Sequence, residues 1–295
     1  MRFELLQPRS LQEALEMKKT HRERATVLAG GTDLLVLLKD GKLKAETVMS
    51  LGGVSELNFI RSHNGGVMLG ALASHRNVAL SPLVHQRYPD LAEACSQVGA
   101  IQIQNLGTVG GNICNASPAA DAAPPLLLMD ALLTLASTRG ERRVPINEFF
   151  LGPRQTVLEP DEILKEIFLP QAVGRRGATY LKLGRREAME IAIVGIGVAV
   201  HLNGSDQVVS QCRIAMGSVA PTPVRARPAE ALVENKEITK ELIDEVAAVA
   251  AEAARPISDV RGSAEYRLDM IRVLCRRAME EALGRARNHK AEGHS

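Results

Sequence analysis

The fold is decided by the stretch Thr108-Val-Gly-Gly-Asn-Ile-Cys-Asn-Ala-Ser-Pro-Ala-Ala-Asp121, which leads into an apolar run from Pro124 to Leu135. It combines two adjacent glycines with hydroxyl, amide and carboxylate side chains. Because Gly110 and Gly111 have no Cβ, the backbone there can adopt positive φ and approach a ligand with its N–H groups turned outward. These are the properties of a loop that binds a phosphate group.

A second stretch, Leu28-Ala-Gly-Gly-Thr-Asp-Leu-Leu35, has the same composition. Thr32 and Asp33 follow its two glycines and precede a helical pattern, so Asp33 can cap that helix and still contact a ligand. A single pair of glycines is more often an ordinary turn, but two such loops suit the two sides of one pyrophosphate. Neither loop reads G-x-G-x-x-G between a strand and a helix, so we expect a fold other than the common dinucleotide-binding one.

The composition excludes several classes of protein. A chain of 295 residues with 45% apolar residues predicts two domains. A net charge of +2 and the absence of tryptophan argue against nucleic acid as a partner. No apolar run approaches the roughly 20 residues of a membrane-spanning helix. The N-terminus carries an acidic residue early, so we expect neither a membrane span nor a secretory signal.

The cysteines are far apart in the sequence and form no C-x-x-C pair: Cys95, Cys114, Cys212 and Cys275. Iron–sulfur and metal sites need clustered thiolates, so we expect no metal site in this chain. Scattered thiols predict a cytoplasmic protein. Cys114 lies in the loop of residues 108–121, where it is either a reactive thiol or, as we expect, a buried and unreactive one.

Local patterns predict the secondary structure of the N-terminal half. Residues 2 to 51 read as β-α-β-α-β, with a capping box from Ser10 to Glu13 and a last strand that closes a small parallel sheet. Asn64-Gly65 predicts a hairpin, and Arg139-Gly-Glu-Arg a second one. A helix is expected from Pro124 to Leu133. Asp121 is either the N-cap of that helix or a carboxylate that accepts hydrogen bonds from ribose or ribitol hydroxyls.

The pattern changes at about Gln171. Gly174-Arg-Arg-Gly reads as a linker, and Asn203-Gly204 as the turn of a hairpin in an antiparallel sheet. Helices are expected at about 239–254 and 266–283, followed by a polar tail from Arg285. No internal repeat is present.

Several motifs together resemble the FAD-binding subunit of molybdenum hydroxylases, the family of the medium subunit of aerobic carbon monoxide dehydrogenase and the flavin portion of xanthine dehydrogenase. They occur in order along nearly the whole chain: A-G-G-T-D-L-L (29–35), T-V-G-G-N-I (108–113), A-S-P-A-A-D (116–121), F-F-L-G-P (149–153), L-E-P-D-E-I-L (158–164), Y-L-K-L-G-R-R (180–186) and S-D-V-R-G-S-A-E-Y-R (258–267).

The resemblance implies an α+β fold. Its N-terminal FAD-binding domain, residues 1–172, has two subdomains (1–53 and 54–172) like those of vanillyl-alcohol oxidase. A C-terminal domain of antiparallel sheet and helices spans residues 173–284, and residues 285–295 form the tail.

The resemblance also implies the cofactor contacts. For the pyrophosphate and ribityl oxygens these are Ala29, Gly30, Gly31, Thr32, Asp33 and Leu34 from one loop, and Thr108, Val109, Gly110, Gly111 and Asn112 from the other. Asp121 would hold FAD hydroxyls with help from Ser117, Leu164 would pack near the flavin, and Lys182 would reach its polar edge.

The surroundings of the flavin ring depart from the family pattern. Ile191 stands where some relatives have a tyrosine that shields the ring, and Glu190 where they usually have aspartate. These departures leave the electron acceptor open. From the residues alone, Lys182, Arg185 and Arg186 are equally a solvated basic patch or a contact surface for a partner. No acid–base pair or nucleophile stands out in the chain.

The function implied is that of an electron-transfer subunit. Its partners would be a small subunit with two [2Fe-2S] clusters and a large molybdopterin subunit, in a dimer of heterotrimers. The absence of clustered cysteines argues against the 4-hydroxybenzoyl-CoA reductase type, whose flavin subunit adds a cluster-binding insertion. A self-sufficient flavoenzyme of the same fold and a scaffold without flavin are the alternatives. The organic substrate is decided in another chain.

Overall fold

The structure is a computed structural model that describes residues 2–172, 174–203 and 208–288. A three-stranded parallel sheet opens the chain, with β3 between β1 and β2. Its elements are β1 (Glu4–Leu6), α1 (Leu11–His21), β2 (Ala25–Leu28), α2 (Leu34–Lys39) and β3 (Thr47–Ser50). This order confirms the predicted β-α-β-α-β unit. The main-chain N–H of Glu13 donates to Ser10 Oγ at 3.2 Å as predicted, but the Glu13 carboxylate accepts from the N–H of Arg9 rather than from that of Ser10.

A five-stranded antiparallel sheet follows in the order β4-β5-β10-β6-β7. Its strands are β4 (Ile60–His63), β5 (Gly66–Gly70), β6 (Leu132–Ser137), β7 (Gly140–Pro145) and β10 (Ile163–Leu169), and β8 (Phe150–Gly152) and β9 (Gln155–Thr156) form a separate hairpin. Six short helices lie between β5 and β6: α3 (His75–Leu80), α4 (Pro82–Arg87), α5 (Pro89–Ser96), α6 (Ile101–Leu106), α7 (Val109–Cys114) and α8 (Ala123–Leu128). Both predicted hairpins are confirmed. At the first, Asn64 and Gly65 both have positive φ, as a type I′ turn requires.

The predicted helix from Pro124 to Leu133 is too long. α8 ends at Leu128, Asp130 takes a left-handed φ of 47°, and β6 begins at Leu132. The run from Pro124 to Leu135 is apolar except for Asp130 and Thr134, because both the helix and the strand are buried. An almost continuous apolar run has no period that separates a buried helix from a buried strand, which explains why the predicted helix was too long.

The C-terminal part forms an antiparallel sheet in the order β11-β12-β13-β14, with β15 paired to the other end of β13. Its elements are β11 (Arg175–Leu183), β12 (Val194–Leu202), β13 (Val208–Gly217), β14 (Val224–Arg225), α9 (Arg227–Val233), β15 (Lys236–Glu237), α10 (Lys240–Glu252) and α11 (Ala264–Asn288). β12 and β13 pair as expected, but Gly204 of the predicted turn lies outside the described residues. No helix among the described residues is both long and apolar enough to cross a bilayer.

Two boundary predictions in this part are wrong. Arg175, Arg176 and Gly177 are not a linker but the start of β11, where Gly177 packs so tightly on α11 that a Cβ would lie 2.0 Å from the carbonyl oxygen of Ala282. The tail does not begin at Arg285, because α11 continues to Asn288. Both errors come from polar residues whose partners are distant in sequence.

One face of the C-terminal sheet packs directly on the N-terminal part. Small residues cover this face, and they allow α8 to lie against it. A Cβ on Gly197 would come within 2.9 Å of Leu128 Cδ1, and one on Gly217 within 3.3 Å of Pro124 Cγ. The face includes Ala178, Gly195, Gly197, Ala199, Ala215 and Gly217. Three of them, Ala178, Ala199 and Ala215, belong to the core that is built mainly by residues 67–169.

A buried ion pair fixes the same interface at its edge. The Arg176 guanidinium on β11 donates to both carboxylate oxygens of Asp90 on α5, at 3.4 and 3.0 Å. The Arg176 side chain is 8% exposed and the Asp90 side chain 0%. Breaking a buried pair leaves an uncompensated charge away from water, which is far more costly than losing an exposed pair.

Asp90→Asn should therefore lower the free energy of unfolding by about 3 kcal/mol, as measured by urea denaturation. Asp269→Asn, which removes the exposed Arg272–Asp269 pair, is the matched control and should cost less than about 0.5 kcal/mol. The double variant Asp90→Asn/Arg176→Met should recover part of the loss, because it removes the stranded cation. Equal losses in the two single variants would show that the buried pair does not fix the interface.

Candidate functional site

The two glycine loops lie side by side in the structure. We call the loop of residues 28–35 the first loop and that of residues 108–121 the second, in chain order. A Cβ on Gly30 would lie 1.8 Å from the carbonyl oxygen of Leu106, so the first loop runs directly against the end of α6. A Cβ on Gly111 would lie 3.4 Å from Ala29 Cβ. The first loop, the end of α6 and the start of α7 therefore form one surface, as a single ligand contacting both loops would need.

The first loop presents a row of free main-chain donors. Within the described part of the chain, the N–H groups of Gly30, Gly31, Thr32, Asp33 and Leu34 donate no hydrogen bond to a protein acceptor. Gly31 has a φ of 76°, a conformation that favours glycine. Asp33 occupies the N-cap position of α2, but its side chain makes no capping bond. Five successive N–H groups without an acceptor are unusual in a folded protein, and they suit a bound polyanion.

The second loop differs from the prediction. Gly110 and Gly111 lie in the first turn of α7, and neither has a positive φ. The N–H of Gly110 donates to Ala71 O at 3.1 Å, and that of Gly111 to Thr108 Oγ1 at 3.0 Å. The prediction of outward N–H groups at these glycines is wrong, because Ala71 O and Thr108 Oγ1 accept their hydrogen bonds. Gly110 instead permits close packing, since a Cβ would lie 2.4 Å from Ala71 O.

Two side chains of α7 and the following turn have polar groups that a ligand could use. Asn112 Oδ1 is buried and accepts no hydrogen bond from any described residue. Ser117 Oγ accepts from the N–H of Ala119 at 3.2 Å and keeps its own O–H as a donor. The Asn112 oxygen without a donor is a second observation, besides the free N–H row, that indicates a polar ligand here.

Asp121 forms a buried network with two residues of β11. Tyr180 Oη donates to Asp121 Oδ1 at 2.8 Å, and Lys182 Nζ donates to Asp121 Oδ2 at 2.8 Å and to Gln97 O at 2.9 Å. The alternative of a helix cap is wrong, because Ala122 occupies the N-cap position of α8. The alternative of a solvated basic patch is wrong for Lys182, whose side chain is 7% exposed. The prediction that Asp121 accepts from FAD hydroxyls stays a prediction.

The electrostatics of this network follow from its burial. Burial raises the pKa of Asp121, and the charge of Lys182 together with the hydrogen bonds from Lys182 and Tyr180 offset part of that shift. Burial, followed by the nearby Asp121 carboxylate, raises the pKa of Tyr180 well above its usual value. Tyr180 is therefore a permanent O–H donor to Asp121 at physiological pH.

A cleft of about 430 Å³ opens beside Lys182. Its lining includes Gln97, Lys182, Arg185, Arg186, Glu187 and Glu190. Arg185 and Arg186 are exposed and both pair with the buried carboxylate of Glu190, at 3.7 and 3.1 Å. These two arginines match the basic surface that the sequence left as an alternative. Ile191, next to Glu190, is 50% exposed.

Other predicted residues take less distinctive places. Leu164 is 4% exposed in the core and pairs with Leu135 on the neighbouring strand, so its position near the flavin stays a prediction. Burial raises the pKa of Cys114 to about 12, which keeps the thiol protonated and supports the unreactive alternative.

Sequence reasoning missed Tyr180 and Gln97 as members of the site. Tyr180 precedes Lys182 by two residues, so the two side chains must lie on the same face of a strand, and this signal could have found it. Gln97 takes part through its carbonyl oxygen, which no sequence pattern reveals.

Comparison with known proteins places this geometry in a family. A model described as the FAD binding domain in molybdopterin dehydrogenase matches residues 1–172, and one described as the CO dehydrogenase flavoprotein C-terminal domain matches residues 179–282. The putative xanthine dehydrogenase FAD-binding subunit of Escherichia coli K12 is 34% identical over 265 residues, covering 89% of this chain and 90% of the relative. The carbon monoxide dehydrogenase medium chain of Hydrogenophaga pseudoflava is 33% identical over 284 residues, covering 96% and 98%.

Solved structures give the same result. A chain of carbon monoxide dehydrogenase from Hydrogenophaga pseudoflava superimposes with a TM-score of 0.93 at 34% identity, covering 97% of this chain and 98% of that one. The resemblance inferred from the motifs, the α+β fold class and FAD as cofactor are thereby confirmed. The chain belongs to the family of FAD-binding medium subunits of molybdenum hydroxylases, and it is an oxidoreductase subunit.

Proposed function

We propose that this chain binds FAD between its two loops and passes electrons from the [2Fe-2S] clusters of a small partner subunit to an external acceptor. A large molybdopterin subunit would bind the organic substrate. The observation that carries the proposal is the row of free N–H groups from Gly30 to Leu34, which suits the pyrophosphate of FAD. FAD, when bound, supplies the electron chemistry, and the residues of this chain bind and orient it.

The other predicted residues would contact different parts of the FAD molecule. Thr108 and Asn112 would contact the pyrophosphate and ribityl oxygens from α7, with the free Asn112 Oδ1 as an acceptor for a hydroxyl. Lys182 has three N–H donors, of which two are used by Asp121 and Gln97. The third is available to the polar edge of the flavin ring. A cation there stabilises negative charge on the reduced ring.

Partners enter the proposal through the relatives. One is named as a subunit of the 6-hydroxypseudooxynicotine dehydrogenase complex and another as the medium chain of carbon monoxide dehydrogenase. We infer an equivalent complex here, a dimer of heterotrimers. The matched family models support a domain boundary between residues 172 and 179. All four cysteines are thiols, which fits a reducing cytoplasm.

Gly31→Ala should weaken FAD binding at least tenfold. An alanine at a φ of 76° is strained whatever the space around it, and relief of that strain would turn the neighbouring N–H groups away from the ligand. FAD at about one hundred times its dissociation constant should stabilise the native chain by about 2.7 kcal/mol, and at the same concentration the variant by about 1.4 kcal/mol or less. Urea unfolding with and without FAD measures both values.

Gly41→Ala is the matched control for this experiment. Gly41 has a similar φ of 69° but no atom within 4 Å of an added Cβ, and it lies at the far end of α2. Both variants pay for a left-handed alanine, but only Gly31→Ala should lose FAD affinity. Equal FAD affinity in the two variants would rule out the first loop as the pyrophosphate site.

Native purification should recover this chain together with two others, one rich in iron and sulfide and one containing molybdenum. We expect about one FAD for each copy of this chain, because the two loops form one surface, which suits a single flavin. Metal and flavin analysis of the purified material provides the measurement. A yellow chain that purifies alone and turns over an organic substrate would favour a self-sufficient flavoenzyme instead.

A further inference from the structure

We propose that Tyr180 is a positioning residue that acts through Asp121 to set the charge that Lys182 presents to the flavin. The inference rests on the proposed function, because it assumes that FAD lies beside Lys182. It concerns a residue with no predicted contact to FAD. Three observations support it, and each concerns a side chain that is almost completely buried.

The first observation is how the Asp121 carboxylate is shared. Each of its oxygens accepts from one side chain of β11, Oδ1 from Tyr180 and Oδ2 from Lys182, both at 2.8 Å. Tyr180 is 2% exposed, and the side chains of Lys182 and Asp121 are 7% and 8% exposed. The Tyr180 hydroxyl and the Asp121 carboxylate are therefore largely shielded from water. Tyr180 holds the carboxylate in the one orientation that directs its other oxygen at Lys182.

The second observation is the space that the sheet leaves for the tyrosine. Gly197 and Gly195 stand opposite Tyr180 and Lys182 on β12. A Cβ on Gly195 would lie 2.5 Å from Tyr180 Oη, so any larger residue would displace the hydroxyl from its place beside Asp121. Gly195 is the cross-strand neighbour of Lys182. The Tyr180 ring therefore extends across β12 toward Gly195, and its hydroxyl lies beside the ion pair of Lys182 and Asp121.

The third observation concerns the titratable groups that face Asp121 among the described residues. The titratable groups that face Asp121 are Lys182 and Tyr180 from β11 and Cys95 from α5. Burial, followed by Asp121, raises the pKa of the Cys95 thiol, so it stays neutral, and the thiol lies 3.5 Å from Nδ1 of His75. Burial lowers the pKa of His75 to about 4, so it is neutral too. The cleft is also lined by Arg185, Arg186, Glu187 and Glu190, but the charge that directly balances Lys182 depends on whether Asp121 is ionised.

A hydrogen bond to a carboxylate favours its charged form, and losing that bond raises its pKa. Without the Tyr180 hydroxyl, a buried Asp121 should take up a proton and leave the Lys182 cation uncompensated. A stronger positive charge beside the flavin stabilises its reduced, anionic form. The midpoint potential of bound FAD should then become more positive.

The test uses the full chain with FAD and the variant Tyr180→Phe, which keeps the ring and removes only the hydroxyl. Equilibration with a reference dye at pH 7 measures the midpoint potential. We expect a more positive potential in Tyr180→Phe. Tyr88→Phe is the matched control, because the Tyr88 hydroxyl is also buried, donates to Leu169 O and Pro170 O, and lies away from Asp121. It should lose comparable stability and keep the wild-type potential.

Two further variants separate the explanations. Gly195→Ala should shift the potential in the same direction as Tyr180→Phe, and it carries the same test if Tyr180→Phe does not fold. In a Lys182→Met background, Tyr180→Phe should have no further effect, because the cation through which it acts is gone. A wild-type potential in both Tyr180→Phe and Gly195→Ala, or an undiminished shift without Lys182, would overturn the proposal.

A measurement on the chain without FAD separates this proposal from the proposed function. Carbon-13 labelling of aspartate, with Asp121→Asn to assign the signal, gives the pKa of Asp121. It should be higher in Tyr180→Phe than in the wild-type chain. Failure to bind FAD with this pKa difference present would refute the proposed function alone, whereas an unchanged pKa would refute the role of Tyr180.

Discussion

The ion pair between Asp121 and Lys182 is the contact on which the rest of the structure depends. Asp121 lies in the turn before α8 of the N-terminal part, and Lys182 lies on β11 of the C-terminal sheet. Burying either charge without the other would be costly. The pair therefore forms only when the two parts of the chain dock, so docking and assembly of this buried network are a single event. The same strand carries Arg176, whose buried pair with Asp90 holds the other end of the interface.

The glycines of the two loops serve different physical purposes, although they look alike in sequence. Gly31 supplies a left-handed backbone that leaves five N–H groups free. Gly110 is an ordinary helical residue whose missing side chain lets α7 pack on Ala71. A glycine pair alone does not distinguish these uses. What distinguishes them is what precedes each pair. Thr108, two residues before Gly110, caps a helix at once, whereas Gly30 and Gly31 follow the end of β2, and Gly30 lies against Leu106.

Local signals predicted what is local, and partners distant in sequence account for the rest. The β-α-β-α-β unit and the Asn64-Gly65 turn depend on neighbouring residues, and both were predicted correctly. The boundary between α8 and β6 was not predicted, because a nearly continuous run of buried apolar residues has no hydrophobic period that separates a helix from a strand. Residue type limited the roles predicted for Asp121 and Lys182 to those of a carboxylate and a cation. It could not predict that they pair, because the two residues are 61 positions apart in the sequence. The Gly174-Arg-Arg-Gly segment read as a linker for the same reason, since Asp90, the partner of Arg176, is 86 residues away.

The geometry of this charged network is determined by residues that carry no charge. Tyr180 and Lys182 share a face of β11 with Ala178, and that face continues through Gly195, Gly197 and Ala199 on β12. Because these residues are small, α8 lies directly on the sheet, and the turn that holds Asp121 comes within hydrogen-bonding distance of β11. A hydrogen bond of 2.8 Å is largely lost when its atoms move apart by about 1 Å. A methyl group added at Gly197 would meet Leu128 at 2.9 Å and force a separation of that order unless the leucine moved aside. Close packing of small residues is therefore what keeps a buried lysine and a buried aspartate in contact beside the cleft.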